Sequence, residues 1–341
     1  MKFIKMQGLG NDYVYVDTFA QQVRDPAALA VRVSRPHYGV GADGLILIGP
    51  SDKADARMRI FNTDGSEAEM CGNGLRCTAR YLYETGRAPA GTMVVETGGG
   101  LRGAQVLLEN GRVRAVRAEM GAPVLDGPRI PVDGCGNHAF VPLSDGTVRE
   151  FTCVSMGNPH AVLFVQEAPR AWCLENGPLV ERDAHFPMRT NVEFVRVLAR
   201  DHLEVFVWER GSGATLACGT GACASLVAAV LEGLAERRAR VELPGGALEI
   251  EWSEADGRVY MTGPAEVCFT GDWPDGDPPR FPACADGICG TIIFIGKQWR
   301  NGVLNGVCRT SGQVAHAPAA SGRFAARLFA GVAAIVRAVP R

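Results

Sequence analysis

Lysine is scarce in this chain of 341 residues: only Lys2, Lys5, Lys53 and Lys297 occur, and none lies in a phosphate-binding context. That argues against pyridoxal-phosphate chemistry, which needs a Schiff-base lysine. Neither charge is in surplus, with 35 basic and 37 acidic side chains and a net charge of −2. Nucleic acid and anionic membrane are therefore not expected as partners. No run approaches the roughly 20 apolar residues of a membrane span. The opening "MKFIKMQGLGNDYVYVD" lacks the apolar core of an export signal and alternates instead, so a first strand and a cytoplasmic location are expected. Cysteine is plentiful at 11, but no CxxC occurs and the six histidines are scattered, so free thiols are expected and no metal site is. Cys153, Cys173 and Cys268 read as small buried apolar residues.

What the chain has in abundance is glycine, and two glycine-rich stretches match. "EMCGNGLRC" begins at residue 69 and "LACGTGAC" at residue 216, and their Cys-Gly-x-Gly motifs lie 147 positions apart. The same offset brings Gly10-Asn11 onto Gly157-Asn158, Gly86 onto Gly233, and Gly98-Gly99-x-Leu101 onto Gly245-Gly246-x-Leu248. Matches in order and without a gap point to an internal duplication. In each half, period-2 segments ("YVYVD", "ARMRIFN", "GTMVVET"; "AVLFV", "LEVFVWE", "RVELPGGALEIEW") surround one helix. That helix starts at the Cys-Gly-x-Gly turn and closes at Gly86 or Gly233. The expected fold is α+β. Two pseudo-symmetric domains each wrap a curled, mostly antiparallel sheet around a central helix, and they face each other across a cleft. The expected halves are residues 1–118, completed by 267–271, and residues 119–266, with 272–341 as an extension of unknown role.

A glycine-rich turn into a helix leaves backbone N–H groups free at the positive end of the helix dipole, a seat for an anion. A cysteine there is expected to have its thiol pKa lowered. Either cysteine alone could merely pack at a helix start. Two related by pseudo-symmetry suit two-base proton transfer, in which one group takes a proton from a stereocentre and the other returns one to the opposite face. The two helix N-termini would stabilise the charge that develops on the substrate carboxylate, with no cofactor.

Longer motifs extend the pattern: "KMQGLGNDYVYVD", "GVGADGLILI", "FNTDGSEAEMCGNGLRC", "VSMGNPHAVLFV", "RTNVEFV", "ERGSGATLACGTGAC", "VELPGGALEIEW" and "YMTGPAEV". With them the chain resembles the diaminopimelate epimerase family over about residues 1–271. The resemblance implies an isomerase that interconverts LL- and meso-2,6-diaminopimelate without pyridoxal phosphate, on the route to lysine and peptidoglycan, and that is usually a homodimer. Carried over, it makes Cys71 the proton donor and Cys218 the acceptor in the LL-to-meso direction. It gives the reacting carboxylate to the backbone of Gly72-Asn73 and Gly219-Thr220. Asn11, Asn62, Asn158, Asn191, Glu209 and Arg210 would hold the rest of the substrate, with His160 and Glu209 supporting the thiols. Arg210 suits a carboxylate, while Asn amides serve either group. Taken singly, Asn11, Asn62 and Asn158 also read as turn residues, His160 as a packed histidine, and Glu209-Arg210 as a solvated strand end.

The family pattern is broken at Gly44, where some members carry a substrate-touching glutamine. Beyond it, "DWPDGDPPRFP" reads as a linker, and "FAARLFAGVAAIVRAVPR" as a possible amphipathic docking helix, too short and too charged to span a bilayer. Two rivals fit less well. A proline or hydroxyproline racemase has a substrate with one amino-acid centre and so no use for the distal Arg and Asn set. A thiol-disulfide oxidoreductase would need a CxxC.

Overall fold

The first half of the chain runs β1 (Lys2–Gly8), β2 (Asn11–Asp17), α1 (Pro26–Ser34), β3 (Gly44–Gly49), β4 (Ala56–Asn62), β5 (Glu67–Ala68), α2 (Gly72–Glu84), β6 (Thr92–Thr97), β7 (Gly100–Glu109) and β8 (Arg112–Gly121). The second runs β9 (His138–Pro142), β10 (Val148–Ser155), β11 (Pro159–Phe164), α3 (Pro169–Val180), β12 (Asn191–Ala199), β13 (His202–Glu209), β14 (Gly213–Ala214), α4 (Gly219–Leu231), β15 (Arg238–Leu243), β16 (Gly246–Trp252), β17 (Val259–Gly263) and β18 (Glu266–Asp272). This computed structural model describes residues 1–274 and, further on, four two- or three-residue strands between residues 299 and 315. The linker and the apolar stretch expected in the extension lie outside the described residues, apart from the first residues of the linker.

The expected first strand is two strands. Leu9 and Gly10 both take positive φ, 59° and 82°, and Gly8 pairs with Asn11. Two left-handed residues in a two-residue loop match the right-handed twist of a hairpin. The turn leaves Asn11 at the head of β2. Gly157, with φ 98°, does the same for Asn158 ahead of β11.

All 18 strands join in one sheet, mostly antiparallel, with parallel pairs at β2–β3, β4–β6, β11–β12 and β13–β15. The fold is α+β, as expected, and the elements of the two halves recur at the 147-residue offset; α2 and α4 correspond residue for residue. The ends cross over: β18 pairs with β1, β17 pairs with β8, and β8 runs through the expected boundary at residues 118 and 119. Lys2–Asp272 form one compact unit.

One apolar core spans both central helices. Leu75 and Leu82 of α2 and Leu226 and Val227 of α4 have no exposed surface. Each such side chain contributes about 1.5–3 kcal/mol by leaving water. The α4 sequence, "GTGACASLVAAVL", is apolar on nearly every side, as a helix enclosed by protein must be. Both helices end on a left-handed glycine, Gly86 at φ 72° and Gly233 at φ 69°. In each, the next N–H reaches back five residues, Arg87 to Leu82 and Leu234 to Ala229. A second core, containing Phe151, Phe194, Cys153 and Cys173, lies on the α3 side of β12.

Candidate active site

Cys71 and Cys218 are the N-cap residues of α2 and α4. Both have extended backbones, and each sulfur accepts the N–H three residues on, from Gly74 at 3.3 Å and Gly221 at 3.4 Å. Both glycines are closely approached by Met261. A Cβ on Gly72 would lie 2.6 Å from Met261 Cε, and one on Gly219 would lie 3.1 Å from Met261 Sδ. The same Gly219 position is 3.7 Å from Asn73 Oδ1. Two helix N-termini thus abut across Met261.

On the α2 side, Cys71 Sγ donates to Asn11 Oδ1 at 3.6 Å, and Asn73 Nδ2 donates to the same oxygen at 3.2 Å. Asn11 Nδ2 in turn donates to Asp43 at 2.8 Å. The Tyr13 hydroxyl is within hydrogen-bonding reach of the sulfur. On the α4 side, Cys218 Sγ and Thr220 Oγ1 are 3.4 Å apart, and Asn158 Nδ2 donates to Thr220 Oγ1 at 3.3 Å. His160 continues the chain, with Nε2 at 3.1 Å from Asn158 Oδ1 and Nδ1 at 2.7 Å from Glu193 Oε1. His160 and Glu193 are fully buried. His160 thus connects to Cys218 by hydrogen bonds through Asn158 and Thr220.

Glu209 accepts from Thr215 at 2.5 Å, and burial first of all pushes its carboxyl up. Asn191 is committed to backbone at both ends of its amide, donating to Pro159 O at 2.8 Å and accepting from Arg210 N at 2.9 Å. Arg210 is exposed, and its guanidinium donates to Met188 O at 3.1 Å. Asn62 bonds the turn it opens, donating to Ser66 Oγ at 3.0 Å. The bonds therefore gather Asn11, Asn73 and Cys71 on one side, and Asn158, His160, Thr220 and Cys218 on the other. Among the described residues, Asn62 and Arg210 bond to neither set.

Two expectations need correction, the lowered thiols and the burial of Cys268. The thiols are not lowered: burial pushes Cys71 up, with the Gly74 N–H, Tyr13 and Arg76 pulling the other way. Burial pushes Cys218 up further, helped by the charges of Glu209 and Glu193. Desolvation outweighs the helix terminus. Gly44 has no room for a side chain, since a Cβ there would run into the Phe61 carbonyl and lie 2.8 Å from Tyr13 Cε1. Cys268 is exposed on β18, whereas Cys153 and Cys173 are buried; all eight described cysteines are free. Among the described residues no three His, Cys, Asp or Glu side chains form a metal-binding group, and no helix is long and apolar enough to cross a membrane.

Sequence reasoning missed Tyr13, Asp43, Glu193 and Arg76. The offset held a signal for all four, because it sets Tyr13 against His160, Asp43 against Thr190, Ile46 against Glu193 and Arg76 against Cys223.

A sequence profile of the diaminopimelate epimerase family matches residues 3–125 and 152–268. The diaminopimelate epimerase of Moorella thermoacetica is 52% identical over 277 residues, spanning 80% of this chain and 99% of its own. That of Methanococcus maripaludis is 47% identical over 276 residues, with the same coverage. Among solved structures, a hydroxyproline epimerase from Agrobacterium vitis with bound trans-4-hydroxy-L-proline is similar at a TM-score of 0.60. It is 15% identical, over 80% of this chain and 91% of its own. A phenazine biosynthesis protein of the PhzF family from Bacillus anthracis is similar at 0.57 with 18% identity, over 81% and 99%. These structures share the fold.

Proposed function

The chain belongs to the diaminopimelate epimerase family, and from that premise we propose how its residues carry out the epimerisation of LL- to meso-2,6-diaminopimelate. It is an isomerase. Cys218 takes the α-proton from the LL substrate as thiolate, and Cys71 delivers a proton from its thiol to the opposite face of the planar carbon. The carboxylate at that carbon lies against the N–H groups of Gly72-Asn73 and Gly219-Thr220, where the helix dipoles favour the charge that builds up in the transition state. No cofactor takes part. The observation that carries this reading is the pair of cysteine-capped helix starts abutting across Met261.

Burial suits this chemistry. A thiol pushed up by desolvation is ionised less often, but its thiolate is a stronger base, closer in strength to the weakly acidic Cα–H it must deprotonate. Asn11 and Asn158 hold substrate polar groups beside each sulfur, while His160 supports Cys218 through Asn158 and Thr220. The distal amino-acid centre, which must be held without reacting, takes Glu209 and the Asn amides for its ammonium and Arg210 for its carboxylate, with Asn62 and Asn191 at the same end.

Residues 1–118 with 267–271 and residues 119–266 serve as the duplicated domains, and the protein works as a cytoplasmic homodimer in lysine and peptidoglycan precursor synthesis. The test is incubation of the reduced protein with LL-diaminopimelate in D₂O. Formation of meso product with one α-deuterium supports the reading, and absence of both turnover and exchange contradicts it.

A further inference from the structure

At the 147-residue offset the two thiol sockets correspond position by position. Asn11 answers to Asn158, Cys71 to Cys218 and Gly74 to Gly221. Six positions break the match: Tyr13 against His160, Asp43 against Thr190, Ile46 against Glu193, Asn62 against Glu209, Asn73 against Thr220, and Arg76 against Cys223. The equivalence is geometric as well. A Cβ on Gly74 would lie 2.7 Å from Ile46 Cδ1, and one on Gly221 would lie 2.7 Å from Glu193 Oε1. The differences set the buried cation Arg76 beside Cys71, with the exposed Asp43 bonded to Asn11 on that side, and two carboxylates, Glu193 and Glu209, beside Cys218.

Arg76 and Glu193 are the unusual members. Arg76 is fully buried, yet no carboxylate pairs with it among the described residues. Its Nε donates to Pro264 O at 3.0 Å, its Nη1 lies 3.4 Å from Met261 Sδ, and its Nη2 has no partner there. Met261 is the side chain between the two helix starts, so the guanidinium sits directly behind the seat. A buried unpaired charge is costly, and an apolar side chain of similar size would be at least as stable. Glu193 is also fully buried; one oxygen holds His160 and the other has no partner among the described residues.

We propose that Arg76 and Glu193 are opposed positioning charges that polarise the thiol pair, so that in the free enzyme Cys71 carries negative charge more readily and Cys218 keeps its proton. The charged groups around the two sulfurs differ in sign. Tyr13 of β2, with Asn73 and Arg76 of α2, faces Cys71, and Arg76 draws that thiol down against its burial. Glu209 of β13, Glu193 of β12 and Thr220 of α4 face Cys218, and beyond burial both carboxylates push it further up. Asp43, exposed and bonded to Asn11, raises Tyr13 and Glu209 and is not among the groups that chiefly shift either sulfur. The form with Cys71 ionised is the one ready for the meso substrate. The form ready for LL has its proton on Cys71 and is the minor one.

This rests on the reading of the two cysteines as acid and base, but it is testable without turnover. The full-length reduced protein is treated with iodoacetamide over a range of pH, and alkylation of each cysteine is followed by peptide mass spectrometry. The midpoint of each pH curve reports ionisation, separately from access. Cys71 should reach its midpoint at lower pH than Cys218. Glu193→Gln should move the Cys218 curve about one pH unit down, roughly tenfold faster alkylation at a given pH, and leave Cys71 in place. Arg76→Gln should move the Cys71 curve up. If that variant does not fold, the unmodified order and Glu193→Gln decide. Equal midpoints or Cys218 first in the unmodified protein overturns the proposal, as does a Cys218 curve unmoved in Glu193→Gln. The expected order in a protein that does not epimerise would overturn the assigned function and leave the polarised pair standing.

Discussion

Cys71 and Cys218 cap their helices in the same way, each sulfur accepting the N–H of the glycine three residues on, at 3.3 and 3.4 Å. Sulfur is a weak acceptor, and a serine would be a better cap, by up to about 1 kcal/mol. Retaining cysteine at both caps is a choice for chemistry over stability. Cys71→Ser and Cys218→Ser should therefore unfold at the same denaturant concentration as the parent or higher, while epimerisation falls ~10²–10⁴-fold or more. Loss of stability in both would mean the sulfurs serve the core instead.

Gly44 pairs with Asn62 in the β3–β4 ladder, with no space for a Cβ. Gly44→Gln should lower stability by about 1–3 kcal/mol, the usual cost of overpacking, without tightening KM for the substrate. A folded variant of unchanged stability with a lower KM would show that the position accepts a substrate contact.

Much of this was legible in the sequence, and the reasons are local. The Cys-Gly-x-Gly turns and the closing glycines bound α2 and α4 because a cap and a left-handed residue are demanded by backbone geometry alone. The alternating segments gave the strands, since period 2 follows from the pleat. Glu193 was hidden for the same reason: between Val192 and Phe194 in "NVEFV" it reads as the outward side of a half-exposed strand. Here β12 is buried on both faces, with Val195 in one core and Val192 and Phe194 in the other. The direction of the thiol shifts was misread because a turn motif reports the dipole and not the depth. Nothing in the sequence around Arg76 sets it apart from any other helix arginine, and its enclosure is what distinguishes it.

Buried thiols also set the alkaline limit. Burial pushes Cys77 up to about 11, and Cys153 and Cys223 up to about 12, from an ordinary thiol value of 9.0. Below pH 9 these groups are neutral in the folded and the unfolded chain and do not affect the balance. Above it the unfolded chain ionises first, so stability falls by about 1.4 kcal/mol per pH unit for each such thiol until the folded value is reached. Denaturant midpoints should decline steeply from about pH 9 to 11, and Cys223→Ala should flatten the slope relative to its own value at pH 8. A flat profile over this window would contradict the assigned burial.

The relatives align over 80% of this chain and 99% of their own, and β18 ends at Asp272. A chain ending at Asp272 keeps every residue named in the site. It should fold and epimerise within a few-fold of the full-length rate, as measured by meso product formation. Soluble but inactive protein would mean that the later residues contribute to catalysis.

The two-base scheme is tested most directly by α-deuterium incorporation from D₂O, followed by NMR for each stereoisomer separately in two single variants. With Cys218→Ala, the base for the LL substrate is gone, and slow exchange should survive only with the meso isomer, at its D centre, through Cys71. With Cys71→Ala, exchange should survive only with the LL isomer, through Cys218. Both variants should lose net epimerisation. Equal incorporation from both isomers in either variant would mean that one group serves both faces of the carbon, and the duplicated cysteine turn would not be a pair of opposed bases.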